Sequence, residues 1–275
     1  MYNNEKRLAE GEGRMQEIVS VQNEKIRALR ALAHKKGRVE AGCFLVEGVK
    51  MVSEAADSMR VQTVLVEDTR VNAYAGLLAK LTEAGAQVFC VPPRVFQSVG
   101  DAKTPQGILA SVRMPPAPER LEGPRLVALD GVQDPGNVGT ILRTADAAGF
   151  EGALLSEACA DAYGPKALRA TMGSIFRVPV LRTDALDSWL LKYRDEGYAV
   201  IVSALDGSPF YARQGIGERF VLVVGSEARG VSPAVSQAAT HRLRLPMRGG
   251  AESLNAAVAA GIMLYELTRP ADEGR

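Results

Sequence analysis

"DGVQDPGNVGTILRTADAAGF", from Asp130 to Phe150, reads as the end of a strand, a tight turn and the start of a helix. The six residues up to Asp130, RLVALD (125–130), are a short apolar run of strand type. Val138, Ile141, Leu142 and Ala145 then recur at helical spacing, with Asn137 placed as the N-cap. A turn of this kind at the carboxyl end of a strand is where nucleotide-binding enzymes hold phosphates. The stretch nevertheless lacks both G-x-G-x-x-G and G-x-x-x-x-G-K-[ST]. It predicts an α/β sheet with a ligand edge, but neither a dinucleotide fold nor a P-loop. A nicotinamide-dependent oxidoreductase is disfavoured on that ground.

The same alternation extends through the second half. Strands are predicted at 125–130, 152–155, 198–203, 220–225 and 241–245. Helices are predicted near 138–148, 165–173, 184–196, 233–239 and 253–268. Short apolar strands separated by helices imply a mostly parallel sheet covered on both faces, with ligands at the carboxyl ends of its strands. Upstream, PPAPERLEGP (115–124) carries four prolines and reads as a linker. Before it, strand and helix patterns alternate again: a helix from Asn23 with Ile26, Leu29, Leu32 and Ala33 on one face, then strands at 43–48, 61–68 and 86–92, and TPQGILASVRM (104–114). The expected organisation is a flexible tail over 1–19, a small α/β sandwich over 20–114, the linker over 115–124 and a larger α/β domain over 125–270.

Composition narrows the classes. The 275 residues are 47% hydrophobic and 24% charged, with a formal net charge of +1, so any nucleic-acid partner must be met by a local patch. Three scattered cysteines, Cys43, Cys90 and Cys159, and two histidines argue against a disulfide framework and against a metal site. No apolar run is long enough to cross a bilayer. These features predict a cytoplasmic protein with no membrane partner.

Three stretches could carry chemistry. In the first, Arg143 lies four residues after Gly139 and should lean back over it toward the strand ends. Taken alone, this is also the pattern of a capped helix with a solvated arginine. In the second, FVLVVGSEARGVS (220–232), a buried strand ends at Gly225, where a ligand could approach the backbone, and Glu227 follows. In the third, LRLPMRGGAESLNAAVAAGIMLYELTRP (243–270), a loop leads to a helix capped by Ser253 and rich in alanine and glycine. Alone, that too is an ordinary small-residue core helix.

In order and spacing, NVGTILRTADAAG, LVVGSEARGVS and LPMRGGAESLNAAVAAGIMLYE resemble the three motifs of the SpoU (TrmH-like) family of RNA ribose 2′-O-methyltransferases, within the SPOUT superfamily. FLVEGVKMVSEA and TPQGILA resemble the L30e-like substrate-binding domain often fused ahead of it. Ala228 departs from the glycine the family often has after the second-motif glutamate. The resemblance implies a C-terminal trefoil knot, an exception to the rule against knots, and a homodimer formed through the knot region. It implies S-adenosylmethionine as cofactor, bound by Gly225, Leu245 and Leu254, with Ala204 and Leu205 lining the pocket. It implies transfer to an RNA ribose 2′-hydroxyl with Arg143 at the reacting oxygen and Asn137, Glu227, Ser253 and Asn255 positioning the ribose. An arginine is a poor base because its pKa exceeds about 12. Orientation of a phosphate and stabilisation of developing charge suit Arg143 better.

RNA capture is expected from the first domain. Lys25, Arg27, Arg30, Lys35, Lys36 and Arg38 form a basic strip uninterrupted by acid, with Arg169 as a further contact. An exposed helix face would look the same. The L30e-like domain favours ribosomal RNA, of 23S type, over transfer RNA. A non-catalytic RNA-binding protein that keeps the fold is the alternative from another class.

Overall fold

The computed structural model describes residues 5–7, 14–58 and 60–269. The chain divides into two units. One runs to Pro116 and includes Tyr163–Leu168, and the other holds Ala117–Ala162 and the chain from Arg169 onward.

The first unit carries, in order, β1 (Glu5–Arg7), β2 (Arg14–Glu17), α1 (Glu24–Ala31), α2 (Lys35–Ala41), β3 (Cys43–Glu47), α3 (Val49–Ser58), β4 (Val61–Glu67), α4 (Ala75–Glu83), β5 (Gln87–Val91), α5 (Pro93–Gln97) and β6 (Ile108–Arg113). Its sheet has the order β1-β2-β5-β4-β6-β3 and mixes parallel and antiparallel pairs. Ile26 and Leu29 of α1 pack in one core with Leu65, Phe89 and Leu109 of the sheet. The expected tail is corrected from Arg14 onward. Gln16 and Glu17 pair with Phe89 and Cys90, and Met15 and Ile18 are buried. Two apolar anchors in a polar stretch are enough to add a strand. Residues 1–4 and 8–13 of that tail lie outside the described residues.

Asn23 caps α1, its side chain accepting from the Lys25 N–H at 2.9 Å. The helix stops at Ala31, however, and Ala33 is exposed. The buried Arg38 side chain donates to the carbonyls of Leu32 (2.8 Å) and Ala33 (2.9 Å). It thereby satisfies carbonyls that the end of a helix leaves open.

The second half carries β7 (Arg125–Asp130), α6 (Pro135–Ala147), β8 (Gly152–Ser156), α7 (Pro165–Thr171), β9 (Val180–Thr183), α8 (Leu186–Asp195), β10 (Ala199–Pro209), β11 (Phe220–Gly225), α9 (Pro233–Gln237), β12 (His241–Arg244) and α10 (Ala256–Thr268). Its sheet, ordered β12-β10-β11-β7-β8-β9, is parallel throughout. Val221–Val224 and Leu126–Leu129 are buried without alternation, as strands covered on both faces must be. The central pair, β7 and β11, ends with Asp130 opposite Gly225. The two glycine-bearing turns of the sequence therefore leave the sheet side by side.

Part of the expected linker is fixed to the second unit. Leu121 is buried, and the Tyr193 hydroxyl both accepts from its N–H (3.2 Å) and donates to its carbonyl (2.9 Å). Arg120 grips Glu196 through two nitrogens, at 3.3 and 2.8 Å. Among the described residues no helix is long and apolar enough to cross a membrane.

Candidate active site

Two helix caps differ from the expected ones, and both differences shape the site. Asp134, not Asn137, caps α6. Its Oδ1 accepts from the Asn137 N–H at 2.9 Å, and Pro135 takes the first helical position, where no donor is needed. Asn137 sits in the first turn with its amide free for other partners. Likewise Asn255, not Ser253, caps α10, its Oδ1 accepting from the N–H groups of Ala257 (2.9 Å) and Val258 (3.3 Å).

The two asparagine side chains join three segments. Asn255 Nδ2 donates to Asn137 Oδ1 at 3.1 Å, and Asn137 Nδ2 donates to Glu227 Oε1 at 2.5 Å. Both asparagine amides are thereby fixed in orientation. Glu227 has no ion pair among the described residues, so its carboxylate stands at the end of the chain with acceptor capacity to spare. The α10 helix lies along α6, with Gly261 near Thr144.

Glu227 is presented by a tight turn. Ser226 and Gly230 exchange backbone hydrogen bonds at 3.0 and 2.8 Å, and Gly230 adopts φ +66°. A Cβ on Gly225 would stand 2.2 Å from the Gly230 carbonyl carbon. The lack of a side chain at Gly225 thus lets its own turn close tightly beside it. Asp130 Oδ2 accepts from the Ser232 N–H at 2.7 Å and pins the far end of the loop to β7.

Beside this turn lies a cavity of about 600 Å³, within the usual range for small-molecule sites. Ala204, Leu205, Gly225, Leu245 and Leu254 all line it, and so do Glu227, Ser253 and Asn255. Its charged lining has both signs, from Asp206, Glu227, Arg229, Arg242 and Arg244. The Arg242 guanidinium, hydrogen-bonded to Asp206, holds that carboxyl below the usual carboxylate range. Arg143 does not reach the cavity. It is exposed on α6, with no hydrogen bond or ion pair among the described residues, and no residue of α6 lines the cavity. No group of His, Cys, Asp and Glu among the described residues is arranged to hold a metal.

Residues 124–265 match the SpoU rRNA methylase family. The chain belongs to that family. Residues 23–110 of this SpoU methylase match the MRM3-like substrate binding domain. The SpoU methylase is 40% identical to the 23S rRNA (guanosine(2553)-2′-O)-methyltransferase RlmP of Bacillus subtilis strain 168, over 92% of this chain and 99% of that one. It is 31% identical to the 23S rRNA (uridine(2479)-2′-O)-methyltransferase of Streptomyces viridochromogenes, over 89% and 88% of the two chains. Its fold matches the AdoMet-bound rRNA methyltransferase of Sinorhizobium meliloti with a TM-score of 0.81 at 34% identity, covering 92% and 97%.

The basic strip of the SpoU methylase divides. Arg27 and Lys35 are exposed without a partner among the described residues. Lys36 is exposed beside Glu40 at 3.8 Å. Lys25 donates to Gln87 and lies over the Phe89 ring, and Arg30 donates to the Ser98 carbonyl. Arg38 is 3% exposed and is corrected out of the strip, since a side chain spent on carbonyls inside the fold cannot meet a phosphate. Arg169 is exposed on α7. Sequence reasoning passed over Asp130, although it ends a strand beside the turn. It also passed over the Asp206–Arg242 pair, whose members lie 36 residues apart with no local signal.

Proposed function

We propose that this SpoU methylase transfers a methyl group from S-adenosylmethionine to a ribose 2′-hydroxyl of ribosomal RNA of 23S type, in the cytoplasm. The observation that carries the reading is the chain Asn255–Asn137–Glu227, which binds all three motif segments at the mouth of one cavity. The cavity fits the cofactor chemically. Ala204, Leu205, Leu245 and Leu254 offer apolar walls for a nucleoside, and acidic and basic side chains offer partners for a zwitterionic amino-acid end. When bound, S-adenosylmethionine supplies an activated methyl group on a sulfonium.

The protein's part is orientation and charge. A ribose hydroxyl is a weak nucleophile and must shed its proton as it attacks. Glu227, held by Asn137, accepts the hydroxyl hydrogen and fixes the oxygen's direction. Ser253 and Asn255, at the cavity wall, bound the ribose. Arg143 orients an RNA phosphate and stabilises charge developing on the oxygen.

Arg143 lies outside its own chain's cavity, which supports a homodimer in which a second copy completes each site. The apolar character of α10 supports the same arrangement, since Val258 and Tyr265 are 52% and 54% exposed on a helix that buries Ala256, Ala257, Ala260, Met263 and Leu264. The C-terminal path is consistent with a trefoil knot: β12 lies at the sheet edge beyond β10, whereas α10, next in sequence, packs on α6 and β11. The first unit serves as the RNA-binding domain, through Lys25, Arg27, Arg30, Lys35 and Lys36, with Arg169 as a further contact.

Transfer of tritium from methyl-labelled S-adenosylmethionine into unmodified rRNA and, separately, tRNA tests the reading. Label at a 2′-O-methyl nucleotide of rRNA is expected. Label in tRNA alone would overturn the substrate. Absence of label together with absence of cofactor binding would favour a non-catalytic RNA-binding protein.

A further inference from the structure

Strand β10 pairs with β12 in register as far as Ser203 opposite Leu243, and then Ser208 stands opposite the same Leu243. Residues 204–207 are extruded from the ladder between these two points. Such a bulge re-aims side chains and locally disrupts the ladder. Ala204, Leu205 and Asp206 of the bulge line the cavity, and Leu205 is 72% exposed. Two features bring the bulge against β12. A Cβ on Gly207 would stand 2.7 Å from the backbone of Arg242 and Leu243, so only glycine fits there. Arg242 Nη2 donates to both carboxylate oxygens of Asp206, at 2.7 and 2.8 Å. The other arm of the same guanidinium donates to the Ser236 hydroxyl on α9. Among the described residues no other side chain hydrogen-bonds or ion-pairs with residues 204–207.

We propose that Arg242 is a positioning residue, which holds the 204–207 bulge through Asp206 and ties it to α9 through Ser236, so that the bulge forms a fixed wall of the cofactor cavity. This rests on the assignment of that cavity to S-adenosylmethionine. An exposed ion pair adds little to global stability. Here, though, the fork supplies the side-chain hydrogen bonds that residues 204–207 receive among the described residues. Its effect is therefore local, and it reads out as cofactor affinity: a wall fixed in advance spares the ordering that binding would otherwise require.

Calorimetric titration of S-adenosylmethionine into the full-length protein tests the tether, with Asp206→Asn, Arg242→Ala and the charge swap Asp206→Arg/Arg242→Asp beside the wild type. Each single variant is expected to raise Kd roughly three- to tenfold, with little change in unfolding midpoint. The KM for the cofactor should rise in parallel, while kcat at saturating cofactor and the KM for RNA move less. The swap should recover part of the loss, which a purely steric role or direct cofactor contacts would not allow. Wild-type affinity in both single variants would overturn the tether and leave the cavity assignment standing. Weakened singles without recovery in the swap would overturn it in favour of direct contact. Failure of the wild type itself to bind would remove the cavity assignment, and the tether with it.

Discussion

Asn137 Nδ2 lies 2.5 Å from Glu227 Oε1, joining the first turn of α6 to the turn after β11 across ninety residues of sequence. Both ends of this contact depend on features that look unrelated to it. Asp134 relieves Asn137 of capping, and the Ser226–Gly230 turn presents Glu227.

Removing the amide should expose its role. A hydrogen bond to a charged group contributes about 1.5–3 kcal/mol, so Asn137→Ala should lower kcat roughly ten- to a hundredfold. Asn137→Asp should be worse, because it sets a second carboxylate against Glu227. Single-turnover methylation of rRNA reads both variants.

Arg143→Ala should depress transfer by about two to three orders of magnitude, the scale of losing one charge-stabilising donor. Calorimetry should find its affinity for S-adenosylmethionine close to wild type, because Arg143 lies outside the cavity. Arg143→Lys should recover little, since a point charge does not reproduce a planar fork. Wild-type rates in Arg143→Ala would remove this residue from the mechanism.

Arg38 and Arg27 separate folding from RNA binding. Arg38→Ala leaves the Leu32 and Ala33 carbonyls without their charged donor and should cost about 2–4 kcal/mol in urea unfolding. Arg27→Ala should leave stability within about 0.5 kcal/mol. It should reduce the slope of log affinity against log salt by about one, as expected of a lost phosphate contact. A lowered salt slope for folded Arg38→Ala would return that residue to the interface.

The Arg120 side chain, hydrogen-bonded to Glu196, holds that carboxyl below its usual range. Its contribution to stability is therefore present at neutral pH and is lost as the pH falls through the depressed value. Urea midpoints of wild type and Glu196→Gln should differ at neutral pH and draw together as the pH falls below about 4. A constant gap would assign the difference to packing.

Much of the second sheet was legible because its strands are buried on both faces. Leu126–Leu129 and Val221–Val224 are unbroken apolar runs, which no solvent-facing element could carry. The short edge strand Val180–Thr183 was missed because it has one buried residue and sits beside a proline. The caps were misplaced for a different reason. Asp134-Pro135 is itself a helix-start signal, and it outranks Asn137 by providing a first residue that needs no partner. Ser253 and Asn255 are both good caps, and the contact with Asn137 that accompanies the choice of Asn255 is tertiary. Of the motif residues, Gly225, Glu227, Ser253, Leu254 and Asn255 line the cavity, whereas Asn137 meets it only through its hydrogen bonds and Arg143 lies outside it. Arg38 looked like its exposed neighbours because sequence does not reveal a side chain whose partners are backbone carbonyls. The Asp206–Arg242 pair was invisible until the sheet had brought β10 and β12 together.

The register of the central strands also dictates an order of events during synthesis. Arg125 of β7 lies opposite Phe220 of β11, and β10 reaches β7 only through β11. The middle of the sheet therefore cannot close until β11 has left the ribosome, and contacts of such long sequence separation form slowly. The sheet of the first unit is complete by Arg113 and can pair while the rest of the chain is still being made, and Tyr163–Leu168 join that unit later. A nascent chain released before β11 would carry a folded amino-terminal unit and an open sheet edge at β7, a template for pairing with other chains.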